Sequence, residues 1–398
     1  MTNPFSSGSN PFEFLLGDLL NMLGSQKGMG TEMARQMAVS VANVIPNQPN
    51  VEPLDRIKYE ELTKILQIHL QSFAALPEIS SHDITDIEVV TRVEWASRTV
   101  NDWEKYSAML QKVAEVQQEQ KEISSELPAE AEHQDNLSQM IQNLSKAIGP
   151  SMIAMQLGSM VGHLAKVAFG SYEIPVPRPS GSSTMIVSYN VDNFAKEWEL
   201  PLDQVRLWAT LREMVMAALF SAPMISGRVE ELIIRHIEAS SADMKQIQNR
   251  LSQLDLSDPE SLQAAISDPA GIFGPEGQSE AQSRINDDIR STIAVIEGLA
   301  SNAVLSIGGR LLGNSAAIDE AFMRKRIERS DGERLSEQFF GIEITRAGIE
   351  KGQSFIRGII ERAGEEGVVP LWSREGAFPT PSELEAPGLW LARLELQT

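Results

Sequence analysis

From Glu52 onward the apolar residues recur at three- and four-residue spacing, the period of helices that bury one face. Leu62, Ile65, Leu66, His69, Leu70 and Phe73 share such a face, and residues 83–113 continue the pattern with Trp95 and Trp103. Residues 117–144 are polar, with a Leu-Pro break at Leu127 and Pro128, and read as a solvent-exposed helical hairpin. Period two shows itself once. TMIVSYNV, residues 184–191, is β-branched and aromatic between turn residues, so it predicts a strand, with a helix from Leu202 to about Phe220 behind it. Helices resume from Gly227, break in a Pro/Asp/Gly-rich loop at 255–278, and run on to about Ala363, before a turn-rich tail at 372–381 and a last helix that places Trp390 on its apolar face. Residues 1–50 lack this periodicity and are rich in Ser, Gly, Asn and Pro, so they read as a flexible tail with one apolar run at 12–23 (FEFLLGDLLNML). The expected architecture is a mainly α domain over 51–398 with one small β element.

Composition narrows the partners. Asp and Glu number 55 against 34 Lys and Arg, and the formal charge of -21 repels nucleic acid and anionic membrane surfaces. The chain has no cysteine, so disulfides, thiolate metal sites and cysteine nucleophiles are excluded. The first residues, MTNPFSSGSNPFEF, carry no basic stretch of the kind that opens a signal peptide, which leads to a cytoplasmic expectation. The most apolar windows, 151–170 and 292–313, contain His163 and Lys166 in one and Glu297 and Arg310 in the other. Both are expected to be buried helices rather than membrane insertions.

Two of these helices carry charges where none is comfortable. VRLWATLREMVMAALF (205–220) is apolar nearly all round yet holds Arg212 and Glu213 at its centre, and IAVIEGLASNAVLSI (293–307) holds Glu297. An unpaired buried charge costs several kcal/mol, so the economical arrangement pairs Arg212 with Glu297. A structural ion pair between two core helices satisfies that requirement by itself. The setting adds a second reading. A strand, a short loop, a buried helix with a central Glu and, some 80 residues later, another with a Glu is the layout of a gluzincin-like metallopeptidase.

The chain resembles the actinobacterial zincin-like family whose members are described as zinc-dependent metalloproteases or hydrolases and are sometimes linked to deazaflavin cofactor biosynthesis. The resemblance covers roughly 81–396 and rests on VGHLAKVAFGSYEIPVP (161–177), MIVSYNV, VRLWATLREMVM (205–216), VIEGLASNAV (295–304) and GQSFIRGIIERAGEEGVVPLW (352–372). It implies a zincin-like fold whose active-site helix reads Leu-His-Glu-x-x-His and whose later helix reads Glu-Gly-Tyr-x-Asp. Laid onto this chain, the two histidine positions are Arg212 and Met216, Glu213 is the vestigial general base, Glu297 is the remaining metal-ligand position, and Ser301 replaces the supporting Asp. At most one direct ligand survives where zinc needs three or four, so neither metal nor cofactor is expected.

Five histidines exist. His133 and His236 are expected at the surface, His163 in the core, and none of the five, His69 and His82 included, supplies two ligands at helical spacing. The leading expectation is a catalytically inactive pseudo-peptidase that binds or scaffolds, with a peptide or protein partner in the old substrate cleft, held along the 185–191 strand whose cleft edge includes Asn190. The alternatives are a hydrolase acting without zinc through Glu213 and a metallopeptidase with displaced ligands. On spacing alone, restoring imidazoles at 212 and 216 is expected to restore zinc binding.

Overall fold

The computed structural model describes residues 29–43, 50–77, 87–112, 153–253, 280–327 and 330–396. The 117–144 segment, the apolar run at 12–23, the 255–278 loop, His82 and His133 lie outside them. In chain order the elements are α1 (Met29–Ala42), α2 (Pro53–Gln71), β1 (Ile87–Val89), α3 (Arg92–Asp102), α4 (104–112), α5 (153–165), β2 (Thr184–Ile186), α6 (Ser188–Glu197), α7 (Leu202–Ser221), α8 (Pro223–Gln253), α9 (Glu280–Leu311), α10 (Ser315–Ile327), α11 (Asp331–Phe340) and α12 (Arg346–Ala363). A 3-10 turn (Glu365–Val368) and three short helices, α13 (Pro370–Ser373), α14 (Pro381–Leu384) and α15 (Pro387–Leu396), close the chain. The mainly α architecture with a small β element beside α7 is as the sequence indicates.

The core forms around α7, which is buried at every residue from Trp208 to Phe220. Its neighbours include α6, α8 and α9, and α9 in turn lies along α12. These last two helices cross backbone to backbone. A Cβ built on Gly298 would overlap the Gly352 carbonyl, and one built on Gly352 would overlap the Ala294 carbonyl, so only glycine permits the approach. Among the described helices α9 is long and apolar enough to cross a membrane, yet 72% of that apolar window is buried inside the protein.

Two expectations need correction. Residues 29–42, assigned to a flexible tail, form α1, whose Ala34, Ala38 and Ala42 are buried. Small side chains one turn apart let α5 come close: a Cβ on Gly158 or Gly162 would meet the Ala34 or Ala38 carbonyl. Alanines at four-residue spacing carry little hydrophobic signal, which is why the helix escapes the periodicity reading.

The second correction concerns 184–191. The strand ends at Ile186, and Ser188 opens α6, so Asn190 sits on a helix rather than on a strand edge. Its side chain spans a junction. Nδ2 donates to the carbonyls of Ala165 (3.0 Å) and Ala168 (2.6 Å) at the end of α5, and Oδ1 accepts from Arg92 Nε at 2.6 Å. That demand for a donor and an acceptor at one point outweighs the strand preference of Tyr189 and Val191, while Met185 and Ile186 keep theirs in β2. β2 is also bounded on both sides. β1 pairs with it in parallel, Ile87 opposite Thr184 and Val89 opposite Ile186, and on the other side Ser171 N donates to Met185 O and Val187 N to Phe169 O. The edge expected to hold a peptide is taken by the chain's own residues 169–171.

Candidate functional site

Residues 168–177 form a fully buried irregular segment. Buried loops are rare because each amide and carbonyl must find a partner away from water. Here they do. Trp95 Nε1 donates to Gly170 O at 2.8 Å, and Arg178 donates to Ser171 O from Nε (3.0 Å) and Nη2 (2.8 Å). Phe169 N donates to Glu173 Oε2 at 3.0 Å, and Tyr172 N donates to Glu213 Oε2 at 2.9 Å. Glu213 therefore serves the fold, as the acceptor for a buried loop amide.

One helix position earlier, Arg212 points toward α9. Its Nη2 donates to both oxygens of Glu297, at 3.1 Å to Oε1 and 3.0 Å to Oε2. The pair anticipated from two lone charges in apolar helices is present. Arg326, at the end of α10, donates from Nη1 to Glu297 Oε1 at 3.1 Å and from Nη2 to the Glu173 carbonyl at 3.0 Å. Its neighbour Lys325 reaches Glu173 Oε1 at 3.0 Å and Val167 O at 2.9 Å. Phe322, one turn back on α10, lies between the guanidiniums, its ring centre 5.0 Å from Arg212 Cζ and 4.8 Å from Arg326 Cζ. The result is a chain of alternating charge, Arg212–Glu297–Arg326 and Lys325–Glu173, tying four elements together.

Electrostatics divides the carboxylates. Burial pushes Glu297 up, but Arg212 and Arg326 outweigh it and hold the carboxyl below its ordinary value. Glu173 is likewise held low by Lys325, Arg326 and the Phe169 amide, against its burial. Glu213 is pushed up to about 7, because burial exceeds what Arg212 and the Tyr172 amide return. Asp319, near the same arginine, is also raised by burial.

Access differs in the same way. Arg212, Glu297, Ser301 and Asp319 line a space of about 10 Å³, no more than one water's worth. Glu213 is 2% exposed, and the loop at Gly170 lies so near its carboxyl that a Cβ there would overlap it. A second space bordered by Glu297, a groove of about 280 Å³, opens between α9 and the first turns of α12, lined by Arg290, Ile293, Ala294, Ile344, Lys351 and Leu384 among others.

The described histidines, His69, His163 and His236, stand apart from this cluster. His236, expected at the surface, is buried and engages Gln282 (2.9 Å) and Asn286 (3.1 Å). The charges around it in sequence hide the fact that its own face turns toward α9. His163, expected in the core, is part-exposed and lies 3.8 Å from Asp331. Burial and Lys166 both hold its pKa down. His69 is half-buried on α2, where Ile65 is exposed and Tyr59, Thr63, Leu66 and Leu70 form the packed face.

Residues 30–391 match the zincin-like metallopeptidase family over nine-tenths of the chain. The chain belongs to that family. A crystal structure from Chloroflexus aurantiacus, called a "putative hydrolase with a novel fold", shares the fold with a TM-score of 0.61 at 17% identity, over 92% of this chain and 98% of that one. No curated protein matches.

A zincin-like fold implies a zinc ion, and the residues present do not fit one. Position 212 offers a guanidinium, position 216 a fully buried thioether, and Glu297 already gives its oxygens to two arginines. Arg212 and Arg326 place two cations against the Glu297 carboxylate, where a dication bound to it would meet them. Among the described residues no group of three or more His, Asp or Glu side chains converges with ligand geometry.

Proposed function

We propose that this member of the zincin-like family is a binding protein without peptidase activity, its metal site replaced by an internal ion cluster. The observation that carries the reading is the capture of Glu297 by Arg212 and Arg326 in a space too small for substrate. A carboxylate held by two guanidiniums is a poor ligand for a dication, and the cations beside it neither activate water nor polarise a scissile carbonyl as a metal would. Binding falls to the groove that reaches Glu297 from the α12 side, whose apolar walls and charged rim suit a peptide or protein segment. The family's hydrolytic chemistry is thereby not carried over to this chain.

One observation favours a second reading, hydrolysis through Glu213 without metal: its pKa of about 7 is that of a general base. Geometry weighs against it. Tyr172 N occupies one oxygen and the Gly170 loop covers the carboxyl. The deciding experiment is metal analysis of the purified protein together with cleavage of a broad peptide library by wild type and Glu213→Gln. Well under one zinc per chain and no cleavage are expected. Stoichiometric zinc, or cleavage that Glu213→Gln abolishes, rejects the proposal.

A further inference from the structure

Helix α2 presents two apolar faces. Tyr59, Thr63, Leu66 and Leu70 are buried against the domain, while Leu54, Ile57, Ile65 and Ile68 are 57%, 53%, 49% and 71% exposed. At 100° per residue these four form one stripe, nearly opposite the packed face, with Glu61 at its middle and Lys58 and Lys64 on either flank. Four aliphatic residues in one exposed row go beyond the scattered apolar residues of an ordinary surface, and rows of this kind mark contacts.

We propose that the stripe is the docking site of the chain's own residues 12–23. Written on a helical wheel, this run places Phe12, Leu15, Leu16, Leu19, Leu20 and Leu23 on one face, the spacing of a helix laid in a groove or against a stripe. Its only charges, Glu13 and Asp18, fall on the two flanks of that face and are both acidic, matching the lysines that border the stripe. Lys64 also pairs with Glu60 at 2.8 Å, an exposed contact that exchanges readily. Five residues, 24–28, join the run to α1, so its docking on the stripe is an intramolecular event whose strength is set by how well that tether spans the distance.

A second copy of the chain is the competing occupant, and the stripe argues against it. Leu54 and Ile57 on one side of Glu61 mirror Ile68 and Ile65 on the other, so a two-fold antiparallel pairing that matches apolar to apolar sets Glu61 against its own copy. Residues 12–23 bring no such repulsion by symmetry.

The absence of cysteine makes the test clean. Leu19→Cys combined with Ile65→Cys is oxidised mildly beside a control pair, Leu19→Cys with Glu366→Cys, an exposed position far along the chain. The stripe pair is expected to form an intramolecular disulfide at least about tenfold faster than the control, as a tethered contact requires. Equal rates, or a disulfide formed only between chains, overturn the proposal. A second measurement avoids dependence on disulfide geometry: maleimide labelling of the single variant Ile68→Cys should accelerate several-fold when Leu19→Ser and Leu20→Ser are added, and an unchanged rate counts against it.

Discussion

Arg212 and Arg326 donate to the same oxygen of Glu297, each at 3.1 Å. Two guanidiniums on one carboxylate make the three residues unequal. Glu297 has two partners to lose, whereas loss of Arg212 leaves Glu297 still paired.

Stability should follow that inequality. Glu297→Ala strands two buried cations and is expected to destabilise by about 3–5 kcal/mol, while Arg212→Ala, which leaves the Arg326 bond in place, should cost about 1–3 kcal/mol. Urea denaturation measures both. Equal losses would mean that the carboxylate is not shared.

Glu213 should make the protein sensitive to pH in the direction opposite to an ordinary salt-bridged acid. Its folded pKa of about 7 lies above the unfolded value near 4.5, so the folded state holds the proton more tightly. The stability this contributes is present below about pH 4.5 and is lost as pH rises through 7, a loss of up to about 3 kcal/mol. Glu213→Gln keeps an acceptor for the Tyr172 amide and cannot ionise. Its thermal midpoint should exceed that of wild type at pH 8, with the gap closing toward pH 5. A pH-independent difference would show that Glu213 does not titrate in this range.

Metal binding should not return with imidazoles alone. Arg212→His with Met216→His supplies two nitrogens one turn apart, yet Arg326 still holds Glu297 and repels a dication. Calorimetric titration should show no zinc binding by this double variant and measurable binding once Arg326→Met is added, weakened by Ser301 where an acidic support would stand. Equal binding by the double and triple variants would show that Arg326 is no obstacle.

Asn190→Ala removes the donor to the Ala165 and Ala168 carbonyls and the acceptor for Arg92, leaving buried groups unmatched. A loss of about 1–3 kcal/mol in chemical denaturation is expected, and hydrogen exchange should quicken at the end of α5 rather than in β2. A loss confined to β2 would instead support an edge-strand role.

The sequence is most informative where a residue contradicts its surroundings. Arg212 and Glu297 stand out because nearly all their helical neighbours are apolar, and a buried charge needs a partner. Arg326 gives no such contrast: it closes an Arg-Lys-Arg run at a helix C-terminus, where basic side chains are ordinarily solvated and favoured by the helix dipole. Glu173 is hidden similarly, in a Pro-rich loop whose burial comes from distant α3, α7 and α10. The strand expected over 184–191 stops short at Ser188 because Asn190's hydrogen bonds reach back more than twenty residues, beyond the range of any local pattern.

The Gly298 and Gly352 contact bears on how such chains are compared. Gly298 follows Glu297 directly, and a scan for a surviving Glu-Gly pair would count both letters as a memory of catalysis. The glycine answers to a different constraint: two backbones meet there, and any side chain drives α9 and α12 apart. With no acidic residue at 297 this chain would need the glycine just as much. The second letter of the pair is therefore a marker of architecture, and a search for active members should weigh the histidines and leave it out.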